Sequence, residues 1–329
     1  MQHVLLVNRM NISFNCEGTN DSLSTSKNGI KVLSLCGGIE TGLLALQELG
    51  IQVQEYHTYE VLPEAISVSK HHFPWIVHHG DLYNADFEQF KDFDLMLVST
   101  CCQSLSRTRI EDSEVNNGLK GKSGIFYKAI EALKIVKPKW FLFENVIPSR
   151  KADLDEMTKC IGVEPVLIDS ANFSAQSRQR YYWTNIDFDL TQICNKLVLK
   201  DIMELNVDEK YFYKKDFKTL DISKRVCAEL LVNSMEMNRR IYNPEFKCAT
   251  LTCINGGYHE KKVMDYGRPR KLTEIEYERL QGLPDNYTNV KMNGRNLSYS
   301  KRCSLCGNGW TLPVIKHILS GIGTSKKDN

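Results

Sequence analysis

From Ile30 to about Asn185 the chain alternates short apolar runs with amphipathic stretches, and that alternation leaves few folds open. "IKVLSLCGG" reads as a strand running into a glycine turn, and "TGLLALQELG" as an amphipathic helix stopped by Gly50. "VQEYHTYE" reads as a second strand, "PEAISVSKHHF" as a helix with Pro63 in its first turn, and "PWIVHHGD" as a short third strand. "FDLMLVST", a helix over about Gly124 to Val136, and the strand "KWFLFENV" follow, and then two more strands, "PVLIDSANF" and "QRYYWTNI". Such a series predicts an α/β fold whose parallel sheet carries helices on both faces. Open sheets of that kind bind their ligands beyond the carboxyl ends of the strands, so those ends are where chemistry is sought.

The rest of the chain divides around this unit. Residues 11–29 are polar with scattered Gly, Asn and Ser, and residues 1–29 read as an amino-terminal extension to a unit over 30–189. Residues 190–267 are rich in Lys, Tyr, Asn and Cys, with no long periodic segment and no obvious second hydrophobic core. Order returns over 268–329. There "LTEIEYERLQGLP" predicts a helix with Thr273 as its cap and Glu276 closing a capping box, and "TLPVIKHILSGI" predicts another.

Composition narrows the setting. The 11 cysteines are odd in number and irregularly spaced, which points to reduced thiols in a cytoplasmic protein rather than a disulfide framework. No stretch approaches the ~20 apolar residues of a membrane span, and "MQHVLLVNRMN" lacks the charged lead-in of a secretory signal. A net charge of +2 neither supports nor excludes a nucleic-acid partner, because a basic face can hide in a neutral total.

Polar groups recur at successive strand ends. Gly37, Gly38 and Gly42 form a turn that lets backbone approach a nucleotide-like ligand, although the spacing is not G-x-G-x-x-G. Glu60 closes the second strand, where an acid either binds a ribose diol or is a solvated strand end. Asp81 follows the third strand, and Cys101 and Cys102 follow the fourth, as small core side chains or as a nucleophile. Glu144 and Asn145 end the fully apolar "WFLFENV" strand, in a structural or a catalytic role. The C-x-x-C of Cys303 and Cys306, with Cys248 and Cys253, offers four thiols, but the pattern reads more readily as packing than as a zinc site. The doublets His71-His72 and His78-His79 read as surface residues.

Taken in order, "LSLCGGIETG", "YEVLPEAI", "GDL", "STCCQSLSR", "FLFENV", "SAQSRQRYYWTN", "LTEIEYERLQGLP" and "CGNGWTLPVIKHIL" resemble the cytosine-5 DNA methyltransferases from about Lys31 to Ile318. The likeness is greatest to the branch that holds the animal de novo DNA methyltransferases and phage and bacterial relatives. It implies a Rossmann-like, S-adenosylmethionine-dependent methyltransferase sheet, with residues 190–267 as a small target-recognition region. It implies double-stranded DNA as partner, a target base flipped out of the helix, and no metal. A bacterial or phage-infected cytoplasm, or a eukaryotic nucleus, is the implied setting, and restriction–modification a possible context.

The same resemblance assigns roles. Carbon 5 of cytosine is not nucleophilic; a thiolate added at carbon 6 makes it so. Cys102, directly before Gln103, stands where the family has its nucleophile, and Cys101 stands where it has proline. Glu144 matches the acid that shares a proton with ring N3, and Arg178 the residue that orients the base O2, leaving Arg180 structural. The methyl donor falls to Leu35, Cys36, Gly38, Gly42, Glu60, Val61, Asp81, Leu82, Asn308 and Trp310. Within that set Glu60 suits the ribose, Asp81 the adenine amino group, and Gly38 and Gly42 the methionine moiety, with Asn308 closing over the cofactor. Two positions depart from the pattern: Cys101, and Cys36-Gly37, where an aromatic residue and an acidic or small polar one are usual. A tRNA cytosine methyltransferase and a catalytically silent DNA-binding relative are the alternatives. The first has a recognition motif not found in "KCATLTCINGGYHE", and the retained Cys102, Glu144 and Arg178 speak against the second.

Overall fold

A computed structural model describes residues 29–100, 105, 118–120, 124–191, 194–254 and 256–322. Nearly all of the amino-terminal extension lies outside them.

β1 (Ile30–Leu35), β2 (Val53–Tyr59), β3 (Val77–His78), β4 (Leu95–Val98) and β5 (Trp140–Asn145) run parallel. With β6 (Val166–Asp169) and β7 (Gln179–Thr184) they form a seven-stranded sheet in the order β3-β2-β1-β4-β5-β7-β6. β1 and β4 are the strands between which the order reverses, the position where such sheets open a ligand crevice. The last two strands are antiparallel, so the sheet is mixed rather than wholly parallel.

The strands are apolar on both faces because both are covered. Val32, Tyr56, Leu97 and Leu142 pack beneath α1 (Thr41–Glu48), α2 (Pro63–His72) and the distant α9 (Leu312–Leu319). Leu33, Leu35, Met96, Val98 and Phe143 face the other way, against α3 (Ile125–Val136) and α4 (Lys151–Ile161). Each fully buried aliphatic side chain stabilises the fold by roughly 1.5–3 kcal/mol. Helix α4 has no counterpart in the sequence reading. Its buried apolar positions, Met157 and Ile161, are too few among charged neighbours to give a clear period, although Gly162 ends it in the left-handed conformation.

The region after Asn185 is more ordered than its composition suggests. It holds the short helices α5 (Leu199–Ile202) and α6 (Glu236–Arg239). β8 (Phe217–Thr219), β9 (Val226–Leu230), β10 (Arg240–Tyr242), β11 (Lys262–Asp265) and β12 (Arg268–Lys271) form a five-stranded sheet in the order β12-β11-β10-β9-β8. Cys227, Ala228, Leu230 and Ile241 make a small core of its own, too few in sequence to announce it. The sheet includes β12 and so runs past residue 267 to Lys271.

Arg270 of β12 is fully buried and joins this sheet to α7 (Glu274–Leu280), with bonds of 2.7 and 2.8 Å to Glu276 and 2.6 Å to Asp265. The Thr273–Glu276 capping box forms as the sequence predicts. The hairpin β13 (Lys291–Met292) and β14 (Arg295–Asn296) and helix α8 (Tyr299–Asn308) lead into α9. The histidine doublets are not simply surface groups: the His72 ring stacks on Tyr287 at 4.0 Å, and His79 lies 2.8 Å from His57. No helix among the described residues is long and apolar enough to cross a membrane.

Candidate active site

The carboxyl ends of β1 to β5 converge on one rim. After β1 the backbone turns sharply, with left-handed conformations at Cys36, Gly38 and Glu40. Gly38 suits this, since its φ of 62° carries no side-chain penalty there. Its N–H donates to Glu60 Oε2 at 2.9 Å, and Glu60 Oε1 accepts from the N–H groups of Val61 and Leu62 at 2.8 Å. Glu60 thus fastens the first turn to the end of β2. Asp81, exposed after β3, uses Oδ1 to cap the N–H of Tyr83, and Leu82 packs into the core behind it.

A narrow cleft opens between these ends, lined by Leu35, Gly37, Glu40, Gly42, Ser99 and Trp310 among others. It therefore brings together three residues assigned to the cofactor: Leu35, Gly42 and Trp310. A Cβ at Gly42 would press on Leu97 and Trp310, so glycine is what lets α1 approach them. Val61 lies exposed next to Glu60, and Asn308 is exposed at the end of α8, accepting from the Cys253 thiol at 2.8 Å.

This donor set fits S-adenosylmethionine. Carboxylates stand at two successive strand ends for hydroxyl and amino donors, and Asp81 Oδ2 is not engaged among the described residues. An uncovered apolar side chain, Val61, adjoins them for a flat ring, and the bare turn at Gly37-Gly38 admits close backbone approach.

The other half of the rim belongs to Glu144. It ends β5 at only 8% exposure, opposite Tyr182 of β7. Because β7 is antiparallel, it starts at the edge where β5 stops, and the side chain two residues before Tyr182 lies diagonally across the same face. That residue is Arg180, whose Nε lies 3.0 Å from Glu144 Oε1. The indole N–H of Trp310 donates to Oε2 at 3.0 Å. Glu144 is thereby gripped on both oxygens, and Trp310 lines the cleft while touching the acid. Next to it, Asn145 Nδ2 donates to the Thr100 hydroxyl at 3.3 Å, tying the end of β5 to the end of β4.

The two arginines of this segment have different surroundings. Arg178 is buried, and its guanidinium donates to the carbonyls of Leu251, Gly307 and Gly309 at 3.0–3.2 Å, clasping the segment at Leu251 to the end of α8. The arginine beside the acid is Arg180, taken from sequence as structural. The pairing of Glu144 with Tyr182 is the signal that separates the two, and it is invisible before strand direction is known.

Cys101, Cys102 and Gln103 lie outside the described residues, between Thr100 and the buried Leu105. Glu40, not singled out from sequence, is the other addition. Its carboxyl is buried and accepts from Tyr56 and Thr58 at 2.6 Å and from Ser34 at 3.2 Å. Burial pushes its pKa up to about 7 against the pull of those hydroxyls. Cys303, Cys306 and Cys248 are buried in the core, and no group of three or more candidate metal ligands occurs among the described residues.

Comparison with known proteins adds to this geometry. Residues 30–324 match the model of a family described as C-5 cytosine-specific DNA methylase. The orphan methyltransferase M.SPRI of Bacillus phage SPR is 26% identical over 309 residues, spanning 74% of this chain and 68% of that protein. The Type II methyltransferase M.NgoBV of Neisseria gonorrhoeae is 29% identical over 138 residues, spanning 40% of this chain and 31% of its own length. Among solved structures, the Entamoeba histolytica methyltransferase EhMeth superposes with a TM-score of 0.68 at 17% identity, covering 90% of this chain and 98% of that one. The S. pombe Dnmt2 methyltransferase gives 0.63 at 17% identity, covering 88% and 97%.

Proposed function

Because the chain belongs to the C-5 cytosine-specific DNA methylase family, we infer that it is a DNA cytosine-5 methyltransferase that uses S-adenosylmethionine. When bound, that cofactor supplies an electrophilic methyl group on a sulfonium. Glu60 and Asp81 would hold its adenosine end and the Gly38 turn its methionine end, with Trp310 walling the cleft.

The observation that carries the catalytic reading is the hold on Glu144. A carboxyl at the rim of a buried sheet, fixed through one oxygen by a guanidinium and through the other by an indole N–H, is positioned and kept from solvent. In our reading Cys102 adds as thiolate to carbon 6 of a flipped cytosine, and carbon 5 becomes the nucleophile. Glu144 shares a proton with ring N3 as electron density builds there. Arg180, in place of Arg178, neutralises the carboxylate and reaches the same base edge. Trp310, which bonds Oε2 and lines the cleft, links the two halves of the site. Gln103 follows the nucleophile in sequence.

Duplex DNA is the substrate we propose, read in part by the five-stranded region over residues 217–271. Incubation with labelled S-adenosylmethionine and either duplex DNA or tRNA tests this. Label entering DNA cytosine supports it; label entering only tRNA, or neither, refutes it. Bisulfite sequencing of DNA from cells expressing the protein then gives the site.

A further inference from the structure

Glu40 is built at unusual cost. It holds a left-handed backbone, φ 57°, that glycine would adopt freely, and it directly precedes α1. Its carboxyl is 1% exposed, and no salt bridge involves it among the described residues. Three hydroxyls, from Ser34 on β1 and from Tyr56 and Thr58 on β2, converge on it. Such a set solvates a carboxylate without neutralising it. The carboxyl lies directly under the cofactor turn, since a Cβ at Gly37 would overlap it, and it lines the cleft with Gly42 and Trp310. A buried anion with hydroxyl donors and no protein cation, facing a ligand cleft, is the complement of a cationic ligand.

We propose that Glu40 sets the preference of this site for the sulfonium-bearing S-adenosylmethionine over its uncharged thioether product, S-adenosylhomocysteine. This rests on the cofactor reading above. The two ligands share adenosine, amino and carboxylate groups and differ by one methyl group and one positive charge. An ionised Glu40 attracts that charge and is indifferent to the thioether, so it favours loading of the donor and release of the product. The other titratable groups near it are Tyr56 on β2, Glu60 just after β2, and Tyr287, whose hydroxyl donates to the Ile39 carbonyl; none is cationic. Ionisation near neutral pH, which burial of Glu40 produces, makes the preference sensitive to pH.

The test is equilibrium binding of each ligand to the whole protein without DNA, by calorimetry. In Glu40→Gln, affinity for S-adenosylmethionine should fall about tenfold or more, while affinity for S-adenosylhomocysteine changes less than about threefold. Glu40→Gly, which relieves the left-handed backbone, should show the same selective loss. In the wild type the ratio of the two affinities should rise between about pH 6 and about pH 8, with the shared amino group cancelling. Equal loss of both ligands, as from a purely structural brace, overturns the proposal, as does a ratio flat with pH. A wild type that binds both ligands without preference sinks Glu40's role alone; one that binds neither sinks the cofactor reading with it.

Discussion

Two arginines two residues apart do different work here, and the difference is measurable. Arg178 satisfies three backbone carbonyls inside the protein; removing it strands buried acceptors, each costing about 1–3 kcal/mol. Arg178→Met should therefore lower the melting temperature by several degrees and weaken activity only in proportion to the folded fraction. Arg180→Lys keeps a charge but loses the Nε contact to Glu144. We expect turnover to fall about 10²-fold with the melting temperature nearly unchanged, the scale of losing one preorganised donor. The opposite pattern in circular-dichroism melts and single-turnover rates would return the base to Arg178. Alongside these, Glu144→Gln should cost at least about 10² in rate with cofactor affinity intact, the usual scale of acid–base assistance. Cys102→Ser should abolish transfer and the covalent trap on 5-fluorocytosine DNA, where fluorine cannot leave as a proton would. A trapped peptide bearing the DNA on Cys101 would move the nucleophile by one residue.

At the level of elements, what was legible followed from period and caps. β1 to β5, α1 to α3, and α7 with its Thr273–Glu276 box carry strong local signals, and each lies where its residues indicate. Leu35, Gly42 and Trp310, assigned to the cofactor by the resemblance, come together at one rim. What escaped depends on partners distant in sequence. The pairing of β7 against β5 puts Arg180 beside Glu144, and the five short strands of the second sheet gain their stability from one another. Arg270 is an example, since nothing local marks it as buried. It bridges that sheet to α7 through Glu276, itself fully buried. Arg270→Met leaves that carboxylate unpaired and should cost about 3–5 kcal/mol in urea unfolding. Adding Glu276→Leu should recover part of the loss. If the double variant is as unstable as the sum of the singles, the two side chains are not acting as a pair.

At the scale of the whole molecule, we propose that the seven-stranded sheet carries the chemistry and the five-stranded region the recognition. The second sheet has a core of only a few residues, Cys227, Ala228, Leu230 and Ile241, and so supports a small surface. Each good bidentate contact to a base edge is worth ~1–3 kcal/mol of discrimination, so a surface that small reads few base pairs. Lys214, Lys215 and Lys218 lie exposed on it, around β8. Contacts from such lysines to phosphates carry affinity without sequence information, each adding about 0.9 to the slope of log affinity against log salt. We therefore expect a recognition site of about two to four base pairs, methylated at many genomic positions that share it, and binding that weakens steeply with salt. Replacing Lys214, Lys215 and Lys218 together by glutamine should flatten that slope while leaving the methylated sequence unchanged in bisulfite reads. Methylation confined to a long site, or a salt slope indifferent to the triple substitution, would mean that the second sheet does not meet DNA in this way.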